Sequence, residues 1–169
     1  RGRIALILVL FLSVNSNGQT NTWIGGNANW NTGGNWSLGV VPTAAHDVVI
    51  NTSSTITVNV TSTTINTLTI SGSASAILLC GDQDVTITMD NSGSAIGLGS
   101  ALTLEGANGS GTRSMGLAYT GSSQLMTIAG TLNLTNVGEG TIYNATNSNT
   151  VVTGTINNTG TTLTSTAAN

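Results

Sequence analysis

The sequence predicts an all-β protein and, within that class, a parallel β-helix in which one chain coils through short strands and turns. Charged residues make up only 5% of the chain, whereas about 25% is typical of a globular domain. Val, Ile and Thr, which favour strands, recur throughout, and Asn and Gly, which favour turns, lie between them. A triplet of apolar residue, Thr and apolar residue also returns along the chain, as expected of a repeat protein.

Residues 1–18 have the form of a signal peptide. Arg1 and Arg3 precede an apolar run at 4–14, which is shorter than the ~20 residues that span a bilayer. Ser16 and Gly18 are the small residues expected before a cut at Gln19. We therefore expect the chain to be secreted or displayed at the cell surface, with no membrane span once this leader is removed.

Residues 19–47 are predicted to form an N-terminal cap. They hold every Trp of the chain, namely Trp23, Trp30 and Trp36, together with its only Pro and its only His. The intervening Gly and Asn residues disfavour a helix, so we interpret the segment as a turn-rich loop whose indoles pack on an apolar edge. Exposed indoles would instead form a platform for sugars, which makes the three Trp candidate ligand-binding residues, as are Tyr119 and Tyr143.

Residues 48–169 are predicted to form the coils. Alternation with period two places the apolar residues of each triplet on one face and Thr on the other. The second, third and fourth triplets start at even intervals, at positions 68, 85 and 102, and the fifth follows after a wider step, at position 126. We therefore expect a coil of roughly 17 to 24 residues with three strands, and an enlarged turn at the Gly-rich segment 106–119. The triplets are Ile56-Thr57-Val58, Leu68-Thr69-Ile70, Val85-Thr86-Ile87, Leu102-Thr103-Leu104 and Met126-Thr127-Ile128.

An antiparallel β-sandwich of Greek-key type is the competing fold, because turn signals at intervals of roughly 8 to 12 residues would suit it too. Hairpin signals are scarce, however, and Asn108-Gly109 lies inside the Gly-rich segment rather than between two alternating runs. The even spacing of the triplets is also difficult to produce with hairpins, so the β-helix is favoured.

The charge of the chain limits its partners. The formal net charge is −3, and it becomes −5 when Arg1 and Arg3 leave with the leader. Without a basic stripe to neutralise phosphates, the sequence argues against nucleic acid as a partner. The single Cys80 lies in an apolar run and excludes an internal disulfide, so we expect a small buried hydrophobic residue there.

The acidic residues offer little chemistry. Asp82-Gln83-Asp84 resembles a fragment of a calcium loop, which makes Asp82 and Asp84 candidate metal ligands, but the Gly and distal Glu of an EF-hand are missing. Either Asp could form a glycosidase-like carboxylate pair with Glu105. Arg113 is the only cation after the leader apart from His46, and aromatic residues are few. We predict no catalytic residues, no enzyme activity and no cofactor.

Residues 23–50 carry a family resemblance. The matching motifs are Trp23-Ile24-Gly25, Trp30, Asn35-Trp36-Ser37, Val41-Pro42 and Asp47-Val48-Val49-Ile50. They resemble the segment that follows the signal peptide in large secreted and cell-surface proteins of Bacteroidota-type bacteria. The resemblance implies a right-handed parallel β-helix related to pectate-lyase-like folds and adhesin stalks, displayed or secreted, without implying a particular enzyme activity.

The predicted function is a non-enzymatic, adhesin-like stalk module of a larger exported bacterial surface protein. Nothing like a cap precedes Asn169, so we expect the natural chain to continue into downstream domains. Surface glycans or other cell-surface components are the expected partners. The alternative is a β-helix that binds or degrades polysaccharides, as a lyase or glycosidase does.

Overall fold

The computed structural model of the chain describes residues 18–106, 113–120, 124–135, 141–143, 149–159 and 164–165. The predicted signal peptide up to residue 17 and the Asn108-Gly109 pair lie outside these residues. The described part contains seventeen short strands and one 3-10 helix, η1, at Gly33–Asn35. No helix in these ranges is long and apolar enough to cross a membrane. The strands are β1 (Gln19–Thr22), β2 (Ala28–Asn29), β3 (His46–Ile50), β4 (Ser54–Val58), β5 (Ser62–Ile65), β6 (Thr67–Ile70), β7 (Ser75–Cys80), β8 (Val85–Met89), β9 (Ser94–Ile96), β10 (Ala101–Glu105), β11 (Met115–Tyr119), β12 (Leu125–Ile128), β13 (Thr131–Thr135), β14 (Thr141–Tyr143), β15 (Asn149–Val152), β16 (Thr155–Thr159) and β17 (Thr164–Ser165).

The strands form three parallel sheets. Sheet I has the order β1-β3-β6-β9-β12-β15, sheet II has β2-β4-β7-β10-β13-β16, and sheet III has β5-β8-β11-β14-β17. From β3 onward, successive strands therefore visit sheets I, II and III in turn, so that each of these coils adds one strand to each sheet, whereas β1 and β2 add strands to sheets I and II only. The structure confirms an all-β parallel solenoid with a tryptophan cluster near the N-terminus.

Alternating side chains fill a continuous core. In β4, Ile56 and Val58 are buried while Thr55 and Thr57 are half-exposed. Because the sheets are in register, inward residues of successive coils stack on one another. Each buried Leu or Ile contributes ~1.5–3 kcal/mol to stability, which offsets the small size of the coils. One such stack runs through Ile56, Leu78, Leu104 and Leu134, all 0% exposed.

The predicted coil length of roughly 17 to 24 residues holds for some coils only, because the coils are not of one length. Asp47 pairs with Thr67 on the next coil, whereas Ser94 pairs with Met126, which lies much further along the chain. The three evenly spaced triplets lie in β6, β8 and β10, which belong to sheets I, III and II. Their spacing therefore covers two sides of a coil rather than a whole turn.

The prediction of a turn over the whole segment 106–119 was also wrong, because Met115–Tyr119 forms β11. This strand pairs with β8 on one side and β14 on the other. Met115, Leu117 and Tyr119 point inward and are buried. Gly116 and Ala118 occupy the positions where β8 carries Thr86 and Thr88, so the strand lacks the Thr that marks the alternation elsewhere.

The tryptophans lie at the start of the stack. Strands β1 and β2 pair with β3 and β4, so the Trp segment adds strands to sheets I and II. The indole of Trp36 meets Trp23 and Trp30 edge to face, with ring centroids 4.9 and 4.7 Å apart. Trp36 Nε1 donates to the carbonyl of Trp30 at 2.7 Å, and Trp23 Nε1 donates to that of Gly26 at 2.9 Å. The indoles thus cover the apolar core and satisfy two of their own N–H groups within the segment.

Candidate functional site

The outer face of sheet II carries a ladder of polar side chains near its C-terminal end. Thr103, Asn133 and Asn157 are register partners on β10, β13 and β16. Asn133 Nδ2 donates to Thr103 Oγ1 at 3.2 Å, and Asn157 Nδ2 donates to Asn133 Oδ1 at 2.9 Å. Inward Leu residues on either side of Thr103 and Asn133 fix these strands on the core, so the ladder is held rigidly.

A shallow groove of about 440 Å³ runs beside this ladder. Its lining has hydroxyl and amide groups, one apolar side chain, that of Ile156, and no charged side chain, so it suits a neutral, largely polar ligand. Each Asn amide has two N–H groups and two oxygen lone pairs, of which the ladder uses only part. The lining residues are Thr103, Asn133, Thr135, Ile156, Asn157 and Asn158.

The same face changes character toward the N-terminus. Ile77 precedes Thr103 in the ladder, and Leu79 and Glu105 occupy the neighbouring outward positions. Glu105 pairs with Thr135 on its other side. The polar groove therefore adjoins one carboxylate and a small apolar patch, and it does not extend over the whole sheet.

The three tryptophans are not available to a ligand in this structure. Trp23, Trp30 and Trp36 are 1%, 0% and 1% exposed. A sugar could stack on them only if the segment opened. They lie at the N-terminal end of the stack, where the sequence predicted a cap, and the groove of sheet II is at the opposite end.

The two tyrosines belong to strands of sheet III, and Tyr119 does not line the groove. Tyr119 is 4% exposed and its hydroxyl group is buried without a hydrogen-bond partner of acceptable geometry. Burial raises the pKa of Tyr119 to about 12, against a smaller lowering effect of the nearby Ser94 side chain. Tyr143 pairs in register with Ala118, and its side chain lies outside the described part of the chain.

Asp82 and Asp84 lie in the exposed turn between β7 and β8. The Asp84 carboxylate accepts a hydrogen bond from the backbone N–H of Ser114 at 2.9 Å, which ties this turn to the next coil. Within the described ranges, no three His, Cys, Asp or Glu side chains lie together as a metal site would require. A calcium role for the two carboxylates stays a prediction. Glu105 stands on the outer face of sheet II rather than in this turn.

Cys80 is buried, as predicted, and its Sγ donates to the carbonyl of Ser114 at 3.4 Å. Burial, and then the charge of Asp84, raise the pKa of the thiol to about 11, against opposing effects of the Val85 backbone and Arg113. A thiol with such a pKa is protonated at neutral pH and is a poor nucleophile. Cys80 therefore serves to pack one coil against the next.

A second polar ladder, which the sequence did not reveal, lies where the chain passes from sheet III to sheet I. Asn66 Nδ2 donates to Asp47 Oδ1 at 2.6 Å, and Asn91 Nδ2 donates to Asn66 Oδ1 at 2.5 Å. Thr67 Oγ1 donates to the same Asp47 oxygen at 2.7 Å. His46 contributes its backbone carbonyl, which accepts the N–H of Asn66 at 2.9 Å, while its ring Nδ1 accepts the backbone N–H of Thr43 at 2.9 Å. An Asn at the turn before β6 and again before β9 is the signal that would have identified this ladder.

The arrangement as a whole offers packing, ladders and one neutral groove, and it gathers no set of acid, base and nucleophile among the described residues. Comparisons with known proteins add no identity, since no family model, no curated protein and no solved structure matches the chain.

Proposed function

We propose that the chain is a non-enzymatic structural module, an adhesin-like stalk within a larger exported bacterial surface protein. The observation that carries the proposal is the in-register stacking of three parallel sheets on one apolar core. Parallel ladders join each coil to the next at ~4.8 Å, so a load along the axis is shared by the backbone bonds of three sheets. The resemblance of residues 23–50 to surface proteins supports export.

The low charge of the faces suits this role. A stalk needs a surface that neither attracts nucleic acid nor repels its neighbours strongly. On β5 and β8 of sheet III, for example, the outward residues are small and uncharged, namely Ser62, Thr64, Thr86 and Thr88. In such a repeat structure, stability depends on the contacts that each coil makes with its neighbours along the shared core.

A register-preserving deletion tests the modular nature of the stalk. Removing residues 68–93 joins Thr67 to Ser94, so that β9, β10 and β11 replace β6, β7 and β8 on β3, β4 and β5. We expect the shortened chain to fold and to unfold cooperatively in urea, followed by circular dichroism. Removing residues 68–80 is the control, because it deletes two strands and leaves β8 without a matching place. Equal loss of structure in both deletions would contradict independent coils.

Display and activity are tested on the exported chain. Intact cells expressing the full chain are treated with an external protease and labelled with antibody, and the purified chain is incubated with a panel of polysaccharides. A stalk is labelled from outside and releases no sugar. Retention inside the cell, or release of reducing ends or unsaturated sugars, would overturn the proposal.

The groove of sheet II favours a second candidate function, the binding of a neutral glycan. The amides of Asn133 and Asn157 are held side by side and keep capacity for further hydrogen bonds. Affinity electrophoresis with neutral polysaccharides tests this function. We expect retardation that Asn133→Ala with Asn157→Ala abolishes, while Thr86→Ala with Thr88→Ala on sheet III leaves it unchanged. Mobility that is the same with and without polysaccharide excludes this candidate.

A further inference from the structure

The polar ladder on the outer face of sheet II has the same direction at each rung. Asn157 Nδ2 donates to Asn133 Oδ1 at 2.9 Å, and Asn133 Nδ2 donates to Thr103 Oγ1 at 3.2 Å. Each amide therefore uses one N–H on the rung before it. Because an amide nitrogen carries two N–H groups, one on each Asn remains for a ligand. The ladder thus offers similar donors side by side, one for each coil.

Three successive strands set the spacing of these donors. Thr103, Asn133 and Asn157 are register partners on β10, β13 and β16, and neighbouring strands of a sheet lie ~4.8 Å apart. The rungs therefore repeat at that distance along the axis of the solenoid. A ligand meets all the rungs at once only if it is extended along this axis and repeats its polar groups along its length. A compact molecule, or a polymer that lies along one strand, meets a single rung.

The charge around the ladder favours a neutral ligand. The groove has no charged side chain in its lining, and the carboxylate of Glu105 stands at the next outward position of β10. With a formal net charge of −3, the chain repels acidic polymers rather than attracting them. Hydroxyl groups of a neutral sugar can accept hydrogen bonds from the remaining amide N–H groups and donate to the oxygens of Thr103 and Asn157. An extended neutral polysaccharide supplies such groups at every unit.

The polar rungs end at β7. Register places Ile77 next to Thr103, and Ile77 is half-buried on the outer face of the strand. Its side chain neither donates nor accepts a hydrogen bond. A sugar unit placed over it would give up hydrogen bonds to water without gaining one from this side chain. The ladder therefore has a defined end on the side of the N-terminus.

We propose that the ladder of Thr103, Asn133 and Asn157 is a linear site for an extended neutral polysaccharide, which lies along the axis of the solenoid, meets one rung in each coil and stops at Ile77. The inference rests on the glycan-binding function proposed for this groove and specifies the direction and extent of the ligand. A glycan lying across the axis, along a single strand, is the alternative that the experiment distinguishes.

Calorimetric titration with oligosaccharides of increasing length tests this orientation. The probes are linear β-1,4-linked oligomers of glucose, of mannose and of xylose, from dimer to hexamer, and each is titrated into the full chain. We expect the affinity for at least one series to rise with length until every rung is filled and then to level off. Asn157→Ala removes one rung, so its affinity should level off at a shorter oligomer.

Ile77→Asn adds a rung where the ladder ends. It should tighten the binding of the longest oligomers by about two- to tenfold, as one added hydrogen bond does, and leave the affinity for the dimer unchanged. Leu79→Asn is the matched control and should change no affinity, because Leu79 lies on the same strand and face but pairs with Glu105 instead of Thr103. If Ile77→Asn loses its β-type circular dichroism spectrum, Ile77→Thr makes the same comparison with a side chain that favours strands.

The outcomes separate this inference from the function on which it rests. Suppose that removal of both Asn amides abolishes binding, but the affinity does not depend on oligomer length and is unchanged by Ile77→Asn. That result would overturn the axial orientation and leave glycan binding in place. Equal gains from Ile77→Asn and Leu79→Asn would do the same. Absence of binding by every oligomer would overturn both the orientation and the glycan-binding function.

Discussion

The side chain of Asn66 bridges two coils by donating to the carboxylate of Asp47 at 2.6 Å while accepting from the amide of Asn91 at 2.5 Å. Asn66 is only 5% exposed, so water cannot replace either partner easily. The bond to Asp47 involves a charged acceptor, and such bonds are roughly twice as strong as neutral ones. The ladder therefore fixes the corner between sheets III and I against sliding of one coil over the next.

Asn66→Ala should lower the free energy of unfolding by about 2–3 kcal/mol, because it removes a charge-assisted bond and leaves buried groups without partners. Urea unfolding followed by circular dichroism measures the change. Asn31→Ala is the control, since Asn31 is exposed on the Trp segment, and it should change stability by no more than about 0.5 kcal/mol. Similar effects of the two substitutions would show that the ladder contributes little.

The tight turns between sheets I and II give a second prediction. A Cβ atom on Gly130 would overlap the carbonyl oxygen of Ser100, and one on Gly154 would overlap that of Gly130. Gly130→Ala should therefore destabilise the chain by about 2–3 kcal/mol through overpacking against backbone. Gly34→Ala has no neighbouring atom within 4 Å and should be nearly neutral. Thermal unfolding distinguishes the two variants. An unshifted unfolding midpoint for Gly130→Ala would mean that this turn can accommodate a Cβ atom without strain.

Neighbouring residues on β7 separate inward from outward packing. Leu78 is 0% exposed and stacks between Ile56 and Leu104, whereas Leu79 lies half-exposed on the outer face. Leu78→Ala should cost about 2–5 kcal/mol because it leaves a cavity in the core. Leu79→Ala removes the same atoms one position along and should cost less than about 1 kcal/mol. Urea unfolding of both variants checks the alternation, and equal losses would contradict the register of sheet II.

The strands were predictable from the sequence because alternation is local, whereas the coils were not. Ile56-Thr57-Val58 identifies a strand by itself. The length of a coil depends on its turns, which have four residues between β9 and β10 but only two, Ala129 and Gly130, between β12 and β13. Because of such differences, the evenly spaced triplets lie on different sheets and are not register partners.

The polar groove could not be predicted from the sequence, for a related reason. Asn133 and Asn157 become neighbours only because one full coil of chain separates them, and nothing beside either residue marks the other. The burial of the tryptophans was easier to anticipate, because Gly and Asn around Trp23, Trp30 and Trp36 favour a compact turn-rich segment over a helix.

Removing one indole should show how much the tryptophan cluster contributes to stability. Trp36 lies between Trp23 and Trp30, so Trp36→Ala removes both edge-to-face contacts and should cost about 3–5 kcal/mol. Ile24→Ala, at a position 62% exposed in the same segment, is the control and should be nearly neutral. Intrinsic tryptophan fluorescence during urea unfolding measures both variants. A loss for Ile24→Ala as large as that for Trp36→Ala would show that the segment is held by contacts other than the indoles.

Alkaline pH should weaken the fold through Cys80, whose pKa rises from the usual 9.0 to about 11 because of burial and the Asp84 carboxylate. The thiol of the unfolded chain ionises at a lower pH than that of the folded chain, so rising pH favours unfolding. The contribution of the thiol to stability is therefore full below about pH 9 and is lost as the pH rises through about 11. The total loss is about 2–3 kcal/mol, at ~1.4 kcal/mol for each unit of pKa. Tyr119 adds a similar loss at higher pH, since its pKa rises to about 12.

Two variants separate these contributions. Urea unfolding at about pH 8 and about pH 11 should show a smaller difference for Cys80→Ala than for the wild-type chain, because the variant has no thiol to ionise. Tyr119→Phe should flatten the further decline toward pH 12, and at neutral pH it should be neutral or stabilising because it removes a hydroxyl group buried without a partner. If Cys80→Ala retains the full wild-type decline between these pH values, the thiol is not the group that weakens the fold.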